Sequence, residues 1–231
     1  MVSEKAEVVV FIPHPDDAEI GFGGTAARWI REGKNIIYVL CTNGDKGTSD
    51  PEIKPEQLAK IREEEQLAAA KILGIREVIF LRHPDQGLED TSEFRKELVR
   101  VIRRYQPETV VTVDPYRPYI SHRDHRITGR VVLDAVFPYA RDLYAYPDLI
   151  EEGLQPHKVK EVLLWSSDGP NYCSDITDTF DLKLAALFCH KSQIGHDNPE
   201  RKERMRERAS AQAEGEEFEL AEAFYRIEIS R

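Results

Sequence analysis

Four short runs dominated by apolar and β-branched residues constrain this chain most: Val8-Val9-Val10-Phe11-Ile12, Asn35-Ile36-Ile37-Tyr38-Val39-Leu40-Cys41, Glu77-Val78-Ile79-Phe80-Leu81 and Thr109-Val110-Val111-Thr112-Val113. A strand with one face in water alternates apolar and polar side chains. A run that stays apolar has both faces covered, as in a parallel sheet clothed by helices. Between the runs the period changes. Residues 56–73 place Leu58, Ile61, Leu67, Ala68, Ile72 and Leu73 near helical spacing, and Gly74 follows as a C-cap. Residues 92–105 carry a second stripe of Phe94, Leu98, Val101, Ile102 and Tyr105, with Pro107 soon after. Strands separated by helices of this length imply right-handed βαβ crossovers. The spacing therefore predicts a Rossmann-like α/β fold: a doubly wound, mostly parallel sheet with helices on both faces. Ligand chemistry in such a sheet collects beyond the carboxyl ends of the strands.

The last third, residues 140–231, is less regular. Residues 161–165 and 223–229 read as late strands, and residues 181–191 as a helix. Asn198 and Pro199 suit the N-cap and first position of a further helix, whose mixed Arg/Lys/Glu run reads as a solvated face. With no repeat, low-complexity tract or linker to divide it, the chain is expected to form a single domain over residues 1–231. A formal charge of −10 argues against a duplex nucleic-acid partner. No apolar run approaches the roughly 18–20 residues that cross a bilayer, and Met1 to Glu7 lacks the features of a signal peptide. The expectation is a soluble, cytoplasmic protein with neither a nucleic-acid nor a membrane partner. Cys41, Cys173 and Cys189 form no C-x-x-C pair, which suggests neither a disulfide framework nor a thiolate zinc site.

Two polar clusters interrupt this pattern. Pro13-His14-Pro15-Asp16-Asp17-Ala18-Glu19 follows the first strand directly and sets an imidazole beside two adjacent carboxylates. Like charges at close range raise each other's pKa. A divalent cation relieves that if one carboxylate ligates it and the other accepts protons beside it. Read alone, the segment is equally a polar turn in which Asp16 or Asp17 caps the next helix. Ser121-His122-Arg123-Asp124-His125-Arg126 follows the fourth strand, and His-x-x-His at a helix start brings two imidazoles toward one face. Loops after the first and fourth strands are neighbours at the switch point of a doubly wound sheet. A histidine and an aspartate from the first loop with a histidine from the second make a three-ligand zinc site, and the fourth position stays open for water. His83-Pro84-Asp85 repeats the first string without its second aspartate and reads as a turn, with Asp85 or His83 a lesser candidate for the pocket. Gly21-Phe22-Gly23-Gly24 lies too deep in the expected helix for a dinucleotide loop, so close helix packing explains it better.

On these strings the sequence resembles the LmbE-like, or PIG-L, family of zinc-dependent deacetylases acting on N-acetylglucosamine-type substrates. The likeness continues through Thr42-Asn43-Gly44-Asp45-Lys46-Gly47, Arg62-Glu63-Glu64-Glu65 with Leu73-Gly74, and His190-Lys191-Ser192-Gln193. It departs at Arg123, where proline is frequent, and at Lys46, where the family varies. The resemblance implies that His14, Asp17 and His125 bind one zinc per subunit, with iron(II) as an alternative metal. It further implies Asp16 as general base and His122 as oxyanion stabiliser or proton donor. Asp124 is placed to orient a histidine from behind, or to cap a helix. Arg141, with Asp142 and Tyr144, is a candidate for sugar hydroxyls, against a surface ion pair beside a packing aromatic. Asp114 reaches either the pocket or a turn, and His190 supports the pocket or a subunit contact. The implied partner is a small amino-sugar substrate, and the implied assembly a homo-oligomer, trimer or hexamer. Two other classes stay open. A metal-dependent phosphoesterase would want two metals and more basic ligands. A metal- or nucleotide-binding module without turnover would not need Asp16 beside a complete ligand set.

Overall fold

The computed structural model describes residues 5–229. β1 (Val8–Ile12) is buried at every position because its alternate side chains enter different cores. Val9 and Phe11 face one core, and Val8, Val10 and Ile12 the other. The chain continues through α1 (Asp17–Gly21), α2 (Gly23–Arg31) and β2 (Ile36–Thr42) to α3 (Pro55–Leu73), β3 (Glu77–His83), α4 (Ser92–Tyr105) and β4 (Thr109–Val113). Then come α5 (Arg123–Asp134), α6 (Pro147–Glu151), β5 (Glu161–Trp165), β6 (Tyr172–Asp175), α7 (Phe180–Leu187), α8 (Lys191–Ile194), α9 (Pro199–Gln212) and β7 (Ala221–Glu228). The first core is completed by Leu98 and Ile102 of α4 and by Val131 and Val132 of α5. The second is completed by Trp29 of α2, Ala69 and Leu73 of α3, and Ala186 of α7.

The seven-stranded sheet runs β3-β2-β1-β4-β5-β7-β6, parallel from β3 to β5, with β7 antiparallel to both β5 and β6. This is the expected doubly wound, mostly parallel sheet with helices on both faces. Strand order reverses between β1 and β4, which pair with Val8 opposite Thr109 and Val10 opposite Val111. The loops leaving their carboxyl ends therefore emerge side by side. β6 is an edge strand that the sequence reading did not anticipate. The helix expected over residues 181–191 breaks after Leu187, and α8 starts at Lys191. Among the described residues, no helix is long and apolar enough to cross a membrane.

α3 differs from its expected face. Its buried positions are Leu58, Arg62, Gln66, Ala69, Ala70 and Leu73, whereas Ile61, Leu67 and Ile72 are exposed. The helix is turned so that two polar side chains, four residues apart, face inward toward the loop after β1. That rotation leaves part of the apolar stripe in water, and it supplies two of the groups that hold the site.

α5 sits tightly on the end of β4. A Cβ at Gly129 would lie 2.5 Å from the Val113 carbonyl oxygen and 2.8 Å from Pro115 Cδ, so this close approach requires glycine. Gly129→Ala is expected to destabilise the protein by about 1–3 kcal/mol, as overpacking does. It should also displace the amino end of α5, which carries His122 and His125. Urea unfolding and metal-binding titration of the variant check both effects.

Candidate active site

The loop after β1 is fastened to β2: the Pro13 carbonyl accepts the Thr42 N–H at 3.0 Å and the Thr42 hydroxyl at 2.8 Å. It then turns through Asp16, whose φ of 100° is left-handed. Such a conformation costs a non-glycine residue about 1–3 kcal/mol and persists only where its surroundings impose it. The Asp16 side chain does not cap α1. It faces the Arg62 guanidinium instead, with Oδ2 3.3 Å from Nη2.

Asp17 lies at the centre. Its Oδ2 accepts the His14 backbone N–H at 3.0 Å, and sits 3.1 Å from His14 Nδ1 and 3.1 Å from His125 Nε2. Asp17 Oδ2 thus links His14 Nδ1 and His125 Nε2 into a first set of candidate donors. The His14 and His125 rings are 5.2 Å apart and tilted, and His122 stands edge-on to His14 at 4.6 Å.

The other nitrogen of His14 faces two more carboxylates, Asp124 Oδ2 at 3.2 Å and Asp85 Oδ1 at 3.1 Å. His14, Asp85, His122 and Asp124 thus make a second set of candidate donors that shares His14 with the first, and the donor atoms of His14, His122 and His125 also lie within 4.8 Å of one another. A neutral imidazole ligates through one nitrogen and donates through the other, which makes the sides of His14 alternatives. Asp124 decides between them. It is fully buried and already accepts the backbone N–H groups of Gln86 (2.6 Å) and Leu88 (3.3 Å). A carboxylate saturated by amides suits a fixed acceptor for His14 Nε2–H, an arrangement that recurs behind metal-bound histidines. Nδ1 then faces Asp17, whose Oδ2 also meets His125.

The electrostatics agree. Burial opposes charging His14, but its hydrogen bonds to Asp124 and Asp17, with the Asp85 carboxylate close by, outweigh it and push its pKa up to about 11. Burial would raise Asp17, yet the charge and hydrogen bond of His125, together with those of His14, hold it far below the usual carboxylate range. Asp85 is lowered to about 2 because its interactions with His14 overcome its burial. This concentration of negative charge calls for a cation. Asp16 behaves differently: burial and the neighbouring Asp17 charge push it up to about 7, against the pull of Arg62.

His122 is the N-cap of α5, and its Nδ1 accepts the Asp124 backbone N–H at 3.2 Å. That bond places the proton of the neutral ring on Nε2. Burial first, and then the His14 charge, lower its pKa, which favours this neutral form.

Not every candidate gathers here. Arg141 lies beyond the carboxyl end of α5, over the Phe137 ring and 3.7 Å from Asp142, in a cavity shared with Val159 and Lys160 at the entry to β5. That is the amino-terminal edge of the sheet, opposite the cluster, so Arg141 is the surface ion pair and not a sugar contact within this chain. Asp114 accepts the Tyr116 N–H at 2.8 Å and makes a turn. His190 is fully buried behind the loop, against Glu19. His83 pairs with Glu97 and packs on Phe94, away from the cluster. Asp85, read from the sequence mainly as part of a turn, is in the cluster. Sequence reasoning missed Arg62 and Gln66 as site residues, whose signal was polarity four residues apart on a half-exposed helix.

Comparison with known proteins follows the same lines. The family profile described as PIG-L, GlcNAc-PI de-N-acetylase, matches residues 9–136. Diacetylchitobiose deacetylase of Thermococcus kodakarensis is 39% identical over 195 residues, covering 84% of this chain and 73% of that protein. A 1D-myo-inositol 2-acetamido-2-deoxy-alpha-D-glucopyranoside deacetylase of Mycobacterium is 29% identical over 84% of this chain and 76% of that protein. Among solved structures, N,N'-diacetylchitobiose deacetylase from Pyrococcus horikoshii, complexed with its inhibitor MPG, superposes with a TM-score of 0.90 at 35% identity, over 96% of this chain and 84% of that one. With this profile match across both polar loops and with relatives this similar over most of its length, the chain belongs to the PIG-L, or LmbE-like, family of deacetylases.

Proposed function

We propose that this protein is a metal-dependent N-deacetylase that hydrolyses the acetamide of a small N-acetylglucosamine-type conjugate, with His14 Nδ1, Asp17 Oδ2 and His125 Nε2 holding zinc, or iron(II) as the alternative. One observation carries the reading: Asp17 Oδ2 stands 3.1 Å from both His14 Nδ1 and His125 Nε2, beside a carboxylate, Asp16, that is not part of this set and is separately held by Arg62. A binding site alone has no use for that fourth group. A two-metal phosphoesterase is disfavoured because Asp124, the most buried acid of the second donor set, is already saturated by backbone amides. The names of the relatives support a small amino-sugar substrate for this chain too.

Bound in the trio, the metal would lower the pKa of a water to about 7 and polarise the acetamide carbonyl. Asp16 accepts the proton of the attacking water as its oxygen bonds to the acetamide carbon. The electron pair displaced onto the carbonyl oxygen meets the Nε2–H of His122, a donor already oriented by the Asp124 amide. The C–N bond then breaks, and the proton held on Asp16 passes to the departing nitrogen. Asp16 suits this last step better than His122, whose neutral ring is a weak acid. Acetate and the free amine leave.

Acetate release from N-acetylglucosamine, its β-linked dimer, and inositol and malate conjugates is the direct test; no release from any of them, with one metal per chain, overturns the reading. Asp16→Asn should retain the metal while kcat falls by about 10²–10⁴-fold. Asp17→Ala and His125→Ala should lose it, as measured by elemental analysis. Asp124→Asn should weaken metal affinity by about 10–100-fold. Next to the site, Tyr119 and Ile120 are 96% and 93% exposed, which fits the expected homo-oligomer. Light scattering should give a mass of three or six times 26.5 kDa, and a monomer would refute that assembly.

A further inference from the structure

Behind Asp16 runs a line of buried polar side chains that the chemistry above does not use. The Asp16 backbone N–H donates to Gln66 Oε1 at 3.3 Å, Gln66 Nε2 donates to Glu19 Oε1 at 2.9 Å, and Glu19 Oε2 meets His190 Nε2 at 3.2 Å. Gln66, Glu19 and His190 are each 0% exposed. His190 Nδ1 is buried with no hydrogen-bond partner. The proton therefore sits on Nε2 and points at Glu19, because the other tautomer would bury an N–H facing nothing and set two acceptors against each other.

The order of the line has a direction. Glu19 as a carboxylate only accepts, so it takes the NH₂ end of the Gln66 amide and turns the oxygen end toward Asp16. His190 supplies the donor for the second carboxylate oxygen of Glu19. At the far end, His190 opens α8, where Ser192 bonds Glu65 and Gln193 bonds the Gly47 carbonyl, so the C-terminal segment is pinned to α3 and the loop after β2. At the near end, α3 grips Asp16 twice, its amide through Gln66 and its carboxylate through Arg62. Apolar residues of similar size could fill the same space, so stability does not explain the line. A left-handed aspartate whose carboxylate must stay beside the donor trio without joining it does need such a hold.

We propose that Gln66, Glu19 and His190 are positioning residues for the general base: the chain of hydrogen bonds from His190 to the Asp16 amide fixes the Asp16 backbone and keeps its carboxylate out of the metal's coordination. The proposal rests on the reading of Asp16 as the base. The test combines hydrogen exchange of the 13–22 segment with kinetics and metal content of the metal-loaded protein. Gln66→Met and His190→Met should speed exchange of the Asp16 amide about tenfold or more. They should lower kcat by about 10–100-fold, with KM within about threefold and one metal per chain retained. His190→Gln, which keeps a donor for Glu19, should restore both properties. In an Asp16→Asn background, Gln66→Met should cost no further activity, since both changes act on one group. Unchanged exchange in both methionine variants overturns the proposal, and so does a kcat loss that adds in full to that of Asp16→Asn. A wild-type protein that releases no acetate refutes the deacetylase reading instead, and the exchange result then still decides whether the line holds the loop.

Discussion

The His14 ring is where three separately folded segments meet, and the rest of the carboxyl edge depends on how it is held. Its Nδ1 faces the loop after β1 and the first turn of α5, through Asp17 and His125. Its Nε2 faces Asp124 of α5 and Asp85 of the loop after β3. Asp124 in turn fixes the β3 loop by accepting the Gln86 and Leu88 amides. One imidazole therefore ties the loops after β1 and β3 to the start of α5. The switch between β1 and β4 makes this possible: the two loops would stand a strand apart if any other strand lay between them.

The charges follow from that meeting. Asp16, Asp17, Asp85 and Asp124 converge, opposed by Arg62 and the histidines. Burial opposes a charge on His14, but its hydrogen bonds to Asp124 and Asp17 prevail and push its pKa up. Of these four Asp16 is the carboxylate raised instead of lowered, because burial and the Asp17 charge act on it and no imidazole hydrogen-bonds to it as His14 does to Asp17. Two aspartates adjacent in sequence thus acquire different chemistry from their surroundings alone.

Much of this was legible in the sequence, for reasons that can be named. The apolar runs gave the strands because burial on both faces removes alternation. The stripe over residues 92–105 coincides with α4, and Asn198 caps α9 as its type predicts. The two polar loops stood out because nothing in a turn requires that concentration of histidine and aspartate. What stayed hidden depends on contacts distant along the chain. α3 carries apolar residues on two sides, and tertiary contacts, among them those of Arg62 with the loops after β1 and β2, select the face that buries Arg62 and Gln66 over the one with Ile61 and Ile72. Asp85 sits in a string that spells a turn, and its role comes from where the β3 loop ends. Arg141 failed in the opposite sense: a loop following the His-x-x-His helix in sequence lies a full helix length from it in space.

A second buried polar cluster shows why satisfaction, more than burial, separates scaffold from site. Glu222 of β7 accepts the Gly24 and Thr25 amides, the Thr25 hydroxyl and the Lys183 ammonium, so both its oxygens are answered and it locks the start of α2 to the sheet. Such a closed network specifies a packing and has no capacity left for a ligand. Around His14 the bookkeeping differs. Asp85 Oδ1 lies near His14 Nε2 but out of line with its N–H, which Asp124 takes, and Arg62 Nε and His190 Nδ1 also lack partners. Buried groups left wanting are rare and costly. Unpartnered atoms also occur at Tyr38, Arg95, Thr128 and Ser174, so an open group marks a site only where, like Asp85 Oδ1 beside His14, it stands among side chains that compete for the same partner.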